Sequence, residues 1–154
     1  MKTFKEYHNE SPVPVSLHEG VEPDTLSINL NDTTYSLKIA DTLDKITQGL
    51  SGRDFIPRKT GMIFMMPEEQ VHSFWMKECL TNMDILFLNE EGEIVNMHRM
   101  IRERPQTSFE TNEDYMTRLT SYSSEKPAKY AIEIPSGDIT RLGLYIGQRV
   151  HIPK

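Results

Sequence analysis

The stretch SFWMKECLTNMDILFL, Ser73 to Leu88, limits the fold of this chain more than any other. It holds two apolar runs of strand length joined by a short polar connection, and strand-length apolar runs bounded by polar residues point to a β structure. Each run carries a charge, Lys77 and Asp84, in a place that ought to be buried. A lone charge in an apolar setting is costly, so each is expected to have a partner. An antiparallel pairing of the two runs would bring Lys77 and Asp84 together as an ion pair that pins register, with Arg53 and Arg141 as further candidate cations. Met83 and Ile85 to Leu88 make Asp84 the entry point of a buried strand, where a carboxylate survives when cations or backbone N–H groups surround it.

The flanking sequence repeats the pattern of short strands. Leu26, Ile28 and Leu30 alternate with Ser27 and Asn29, turn chemistry follows at 31–34, and Tyr35, Leu37 and Ile39 alternate again, which predicts a hairpin. Asp41 can cap a short helix carrying Leu43, Ile46 and Leu50, weakened at its end by Gly49 and Gly52. Strands are predicted at 61–66, 71–77, 84–88 and 94–98 as a meander, the last two joined through Asn89-Glu90-Glu91-Gly92. Residues 102–127 are polar and form an excursion with a helical turn around Tyr115 to Leu119. Tyr130, Ile132 and Ile134 form a further strand, a helical turn runs through Leu142 to Gly143, and Arg149 to Ile152 closes the chain. The domain is thus expected to be an all-β antiparallel sandwich or barrel over 25–154 with one or two short helices, preceded by a polar arm at 1–24 that holds Pro12, Pro14 and Pro23.

With 154 residues, one domain with a single core is expected. A net charge of −6 argues against a surface that tracks phosphates, so no nucleic-acid partner is expected. Cys79 is the single cysteine, which rules out an intrachain disulfide and a cysteine zinc site. The N-terminal sequence lacks the apolar core of a signal peptide, and no run approaches the ~18 apolar residues of a membrane span. The expected location is the cytoplasm or the inside of an assembled particle.

The segments GLSGR (Gly49 to Arg53), GMIFMMP (Gly61 to Pro67), SFWMKECLTNMDILFL, KYAIEIPSG (Lys129 to Gly137) and RLGLYIGQRV (Arg141 to Val150) resemble, in order, the domain of unknown function 192 family over about residues 35–152. The resemblance implies a compact, mostly antiparallel, jelly-roll-like β fold with a short helix before GLSGR, and it implies no biochemical activity. Glu78 and Cys79 stand where the family typically has a small polar residue and a Thr, and the excursion is longer than usual. Many relatives look exported or lipid-anchored, which this chain does not.

Several constellations are candidates for function. Trp75 with Lys77, Asp84 and Glu133 would offer an apolar platform ringed by hydrogen-bonding groups, as a saccharide or other small polar ligand needs, against the plainer reading of Trp75 as a core aromatic. Met62, Met65, Met66, Met76, Met83, Met97 and Met100 with His72, His98 and Cys79 are soft-ligand types, but their spacing follows strands, so core packing and no metal are expected. Cys79 as a nucleophile lacks an orienting third group. Glu133 could face Arg141 or Asp84, and a Glu133–Asp84 pair would make a two-carboxylate acid/base site, against a solvated strand-face glutamate. No cofactor motif is present. The expected function is a non-enzymatic interaction or assembly module, as one part of a larger assembly such as a viral particle, with a protein partner or self-association. The alternatives are a small polar ligand or saccharide binding domain, and an enzyme of unrecognised type using Asp84 and Glu133.

Overall fold

Asn31 and Asp32 have φ of 47° and 66°, the two successive left-handed residues that a tight hairpin requires, and they join strand β1 (Thr25–Leu30) to β2 (Thr33–Ala40). The structure, a computed structural model, describes residues 24–153; the expected arm lies outside them apart from Asp24. Thr42 caps helix α1 (Leu43–Gln48) by accepting from the Lys45 amide, and Gly49 at φ 49° ends it. There follow β3 (Thr60–Gln70), β4 (Ser73–Phe74), β5 (Met83–Leu88), β6 (Ile94–Met100), α2 (Asn112–Arg118), β7 (Tyr122–Ser123), β8 (Ala128–Pro135) and α3 (Asp138–Leu142).

The protein is mainly β, with one six-stranded sheet in the order β1-β2-β3-β8-β5-β6 and a two-stranded sheet β4-β7. The large sheet is not a closed barrel. Nor is it wholly antiparallel, because α1 carries the chain across from β2 to a β3 that runs parallel to it. The expected meander is interrupted as well: β8 inserts between β3 and β5, pairing Met62 with Glu133 on one side and Ile85 with Glu133 on the other. No helix among the described residues is long and apolar enough to cross a membrane.

The continuous apolar run of β5 follows from its place beside β8 in the middle of the sheet, with both faces covered. Side chains alternate, so Met83, Ile85 and Phe87 enter one core with Phe64, Phe74 and Ile46, while Leu86 and Leu88 enter a second with Tyr35, Leu37 and Ile132. Each such fully buried large side chain contributes about 1.5–3 kcal/mol. Phe64, Phe74 and Phe87 meet edge to face, with centroids 5.0 and 5.7 Å apart. Met62, Met66, Met76, Met83 and Met100 fill the first core, and Met65 and Met97 pack against the second.

Two expected strands are corrected. Residues 71–77 pair only at Ser73 and Phe74, with β7, and lie over the face of the large sheet, so His72 to Met76 are all buried and no exposed face alternates with a core face. The C-terminal segment makes a single bridge, Glu93 to Arg149, with hydrogen bonds between Ile94 and residues 147–148 and from Val150 to Gly92 that hold it against the start of β6.

Candidate functional site

Glu78 is the point where three separate segments meet. Its φ of 59° turns the chain sharply after Lys77; its amide donates to the Tyr115 hydroxyl of α2 at 3.2 Å, and its carbonyl accepts from the Gly52 amide at 3.0 Å. The Ser51 hydroxyl adds a bond to the Lys77 carbonyl. The turn after α1, the Lys77–Cys79 segment and the excursion are thereby held around a cleft of about 680 Å³. Gln48, Gln106 and Asn112 bring amides to its walls, Lys77, Glu78 and Glu103 bring charges, and Met116 and Leu80 bring apolar surface. This volume and this mixture are typical of small-molecule sites.

Below the cleft, Trp75 is 6% exposed and packs against Tyr115, Met116 and Leu119. The expected aromatic platform is therefore covered by α2, and the plainer reading of Trp75 as a core aromatic describes its position. The Lys77 ammonium sits 5.9 Å from the Trp75 ring centroid, a cation–π geometry that steers it along the cleft wall. Cys79 is buried in the first core at the margin of the cleft. His72 is wholly buried, and that burial pushes its pKa below the ordinary value, so it packs as a neutral ring.

The wall formed by the excursion is braced by its own electrostatics. Arg118 donates through Nε and Nη2 to the two oxygens of Glu110 at 2.6 and 3.0 Å and reaches the Arg104 and Pro105 carbonyls, while Thr111 and Asp114 form a capping box at the start of α2. Arg118 holds the Glu110 carboxyl down at about 2, so the clamp persists throughout the mildly acidic range. Glu110→Gln should speed amide exchange across 104–110 by about tenfold while the thermal midpoint stays within about 2 °C, because the clamp is at the surface. Equal protection in the two proteins would refute the clamp.

The remaining charges do not join this cleft. Asp84, 1% exposed, leaves β5 on the opposite face of the sheet from Lys77, so no ion pair between them exists among the described residues. Its Oδ2 accepts from the Gly137 and Ile139 amides at 3.0 and 2.9 Å, and the cation felt across the sheet is Arg99, its register partner on β6. Backbone amides thus compensate one carboxylate oxygen only: Oδ1 is buried without a hydrogen-bond partner among the described residues, and burial outweighs the amides and raises the pKa. The cations expected beside Asp84 are elsewhere: Lys77 lies over Trp75, and Arg53 lies in the turn after α1 on the other side of the sheet. Arg141 is bonded to Asp138 at 3.0 Å and to the Tyr35 hydroxyl, which itself donates to Asp138 at 2.6 Å. Burial first, then Asp138, raises the pKa of Tyr35. Glu133, wholly buried, points with Met62 and Ile85 into the first core, because its strand neighbours Ile132 and Ile134 enter the second. Asp84 and Glu133 therefore leave opposite faces and share no site. Of the candidate residues singled out in sequence, Lys77 lines the cleft and Cys79 lies at its margin, while Arg53, Trp75, Asp84, Glu133 and Arg141 do not line it. Gln48, Gln106 and Asn112 carried no local signal, since they become neighbours only when α2 folds over the sheet.

These features define a mainly β domain in which connecting segments, laid over one face of an open sheet, enclose a polar cleft. The chain belongs to the DUF192 family, described as Uncharacterized ACR, whose model matches residues 26–152. It is similar to UPF0127 protein PF1050 of Pyrococcus furiosus, 29% identical over an alignment of 119 residues that covers 74% of this chain and 84% of that protein. Among solved structures it is similar to a protein of unknown function from Novosphingobium aromaticivorans DSM 12444, with a TM-score of 0.67, 20% identity and 99% of each chain covered. A protein from Sinorhizobium meliloti 1021 described as a candidate transcription regulator has a TM-score of 0.65 and 23% identity over 81% of this chain and 89% of that one. At these identities the solved structures show a shared fold.

Proposed function

We propose that the domain binds a small, polyhydroxylated, weakly charged ligand of the saccharide kind in the cleft between the turn after α1, the Lys77–Cys79 segment and α2. The observation that supports this reading is the company of Lys77: it makes none of the ion pairs among the described residues, yet it lines a roomy cleft together with side-chain amides. Glu78 and Glu103 on the same walls disfavour a polyanion, whereas hydroxyl groups satisfy ammonium, carboxylate and amide alike. Titration of the isotope-labelled protein with a panel of neutral mono- and disaccharides should shift the Gly52, Glu78 and Asn112 amide resonances. Lys77→Ala should weaken that binding by about tenfold, the cost of one charged hydrogen bond. Unmoved cleft resonances at millimolar sugar would refute the proposal.

An interaction or assembly module is the second reading. Phe109 favours it, 96% exposed and presented on the clamped excursion next to Glu110.

A further inference from the structure

The two edges of the large sheet are treated differently by the fold. The outer edge of β6 is engaged at its first residue, where Ile94 bonds to Gly147 and Gln148, whereas β1 is an edge strand whose sheet partner is β2 alone. The register identifies which of its backbone groups are open. The Ile39 amide donates to the Asp24 carbonyl, and Asp24 opposes Ile39 by extension of the β1–β2 register. Antiparallel ladders alternate, so Leu26, Ile28 and Leu30 bond inward to β2, and Thr25, Ser27 and Asn29 turn their N–H and C=O groups outward. No backbone hydrogen bond among the described residues uses those outward groups.

Exposed edges are ordinarily blunted by charge, proline or a bulge. The sequence TLSINL has none of these: its pairing with β2 is regular, and the side chains above the open edge are Thr25, Ser27 and Asn29, all exposed and uncharged. We propose that this edge pairs with the same edge of a second copy, antiparallel about a two-fold axis at Ser27.

Antiparallel partners must lie on the same face, and centring on Ser27 is the register that engages every outward group. Ser27 then opposes its own copy, Thr25 opposes Asn29, and Leu26 opposes Ile28, so the apolar row continues across the axis. The absence of charge on β1 lets two chains of net charge −6 meet here without facing like charges. An isologous contact of this kind closes as a dimer and does not propagate into a filament. The chain's own N-terminal arm suits the edge less well, since Pro12 and Pro14 would withhold donors from any ladder they joined.

Sedimentation of the full-length protein should show a concentration-dependent species at twice 17.8 kDa. Ser27→Pro removes an outward amide that β2 does not use, and Ser27→Lys places like charges across the axis; each should weaken dimerisation by about 30-fold or more with the monomer's thermal midpoint kept. Register is read by crosslinking. Under oxidation Ser27→Cys should form a disulfide-linked dimer, since opposed residues in such a pair lie ~5.5 Å apart at Cα, whereas Asn29→Cys alone should not. A dimer indifferent to Ser27→Lys, equal crosslinking by Asn29→Cys, or protection of the Thr25, Ser27 and Asn29 amides at monomer mass regardless of concentration would each overturn the proposal. So would a monomer at every accessible concentration.

Discussion

Gly61→Ala should be among the most damaging small substitutions in the described residues, costing about 3 kcal/mol or more. A Cβ built on Gly61 falls against the carbonyl oxygen of Glu133, closer than real Cβ atoms come to any neighbour, and lies 3.2 Å from Leu37 Cδ2. The obstructing atom is backbone, so no side chain can swing aside. It belongs to β8, which holds the two halves of the large sheet together, and the strands would have to separate to admit the methyl group. Urea unfolding should show a lower midpoint with an unchanged slope. A loss under about 1 kcal/mol would mean that β3 and β8 pair less closely than described.

Asp84→Ala is expected to cost about 2–3 kcal/mol, and Asp84→Asn much less at neutral pH. Gly137, the residue before α3, offers no side-chain cap, and Asp84 performs that task from another strand by accepting from the Gly137 and Ile139 amides. Alanine leaves both part-buried donors unmatched, whereas asparagine keeps an acceptor and removes a buried charge. The pH dependence follows from the raised pKa of Asp84. Burial is the main cause, aided by the nearby charge of Asp138, while the two amides and Arg99 act in the opposite direction. The folded state therefore holds the Asp84 proton to a higher pH than the unfolded chain does. The favourable share of Asp84 is complete below its ordinary value of 3.8 and is lost as pH rises through the folded value. The stability of wild type relative to Asp84→Asn should fall as pH rises above about 4; a rise instead would overturn the assignment.

Local pattern made much of this fold legible. Alternation over Leu26–Leu30 and Tyr35–Ile39 announces the first hairpin, Asn31 and Asp32 its turn, and the unbroken run from Ile85 to Leu88 a strand covered on both faces. The methionines follow the same strand pattern into the cores. The sequence by itself also determined the family, through five separated segments in one order, and the mainly β class.

Partnership was decided by the tertiary structure. Nothing local to Lys77 or Asp84 says that β8 will come between β3 and β5, or that the Lys77 segment will lie over one face while Asp84 points from the other. The capping of α3 spans 53 and 55 residues of sequence, and the cleft gathers Gln48, Lys77 and Asn112 from three connections. Strand and turn preferences act over a few residues, where pleat and backbone angles set them, and so can be read from short windows. Which side chains meet across a cleft depends on strand order and on the face each strand presents. Those are settled by the burial of whole faces at once, and only the folded chain carries them.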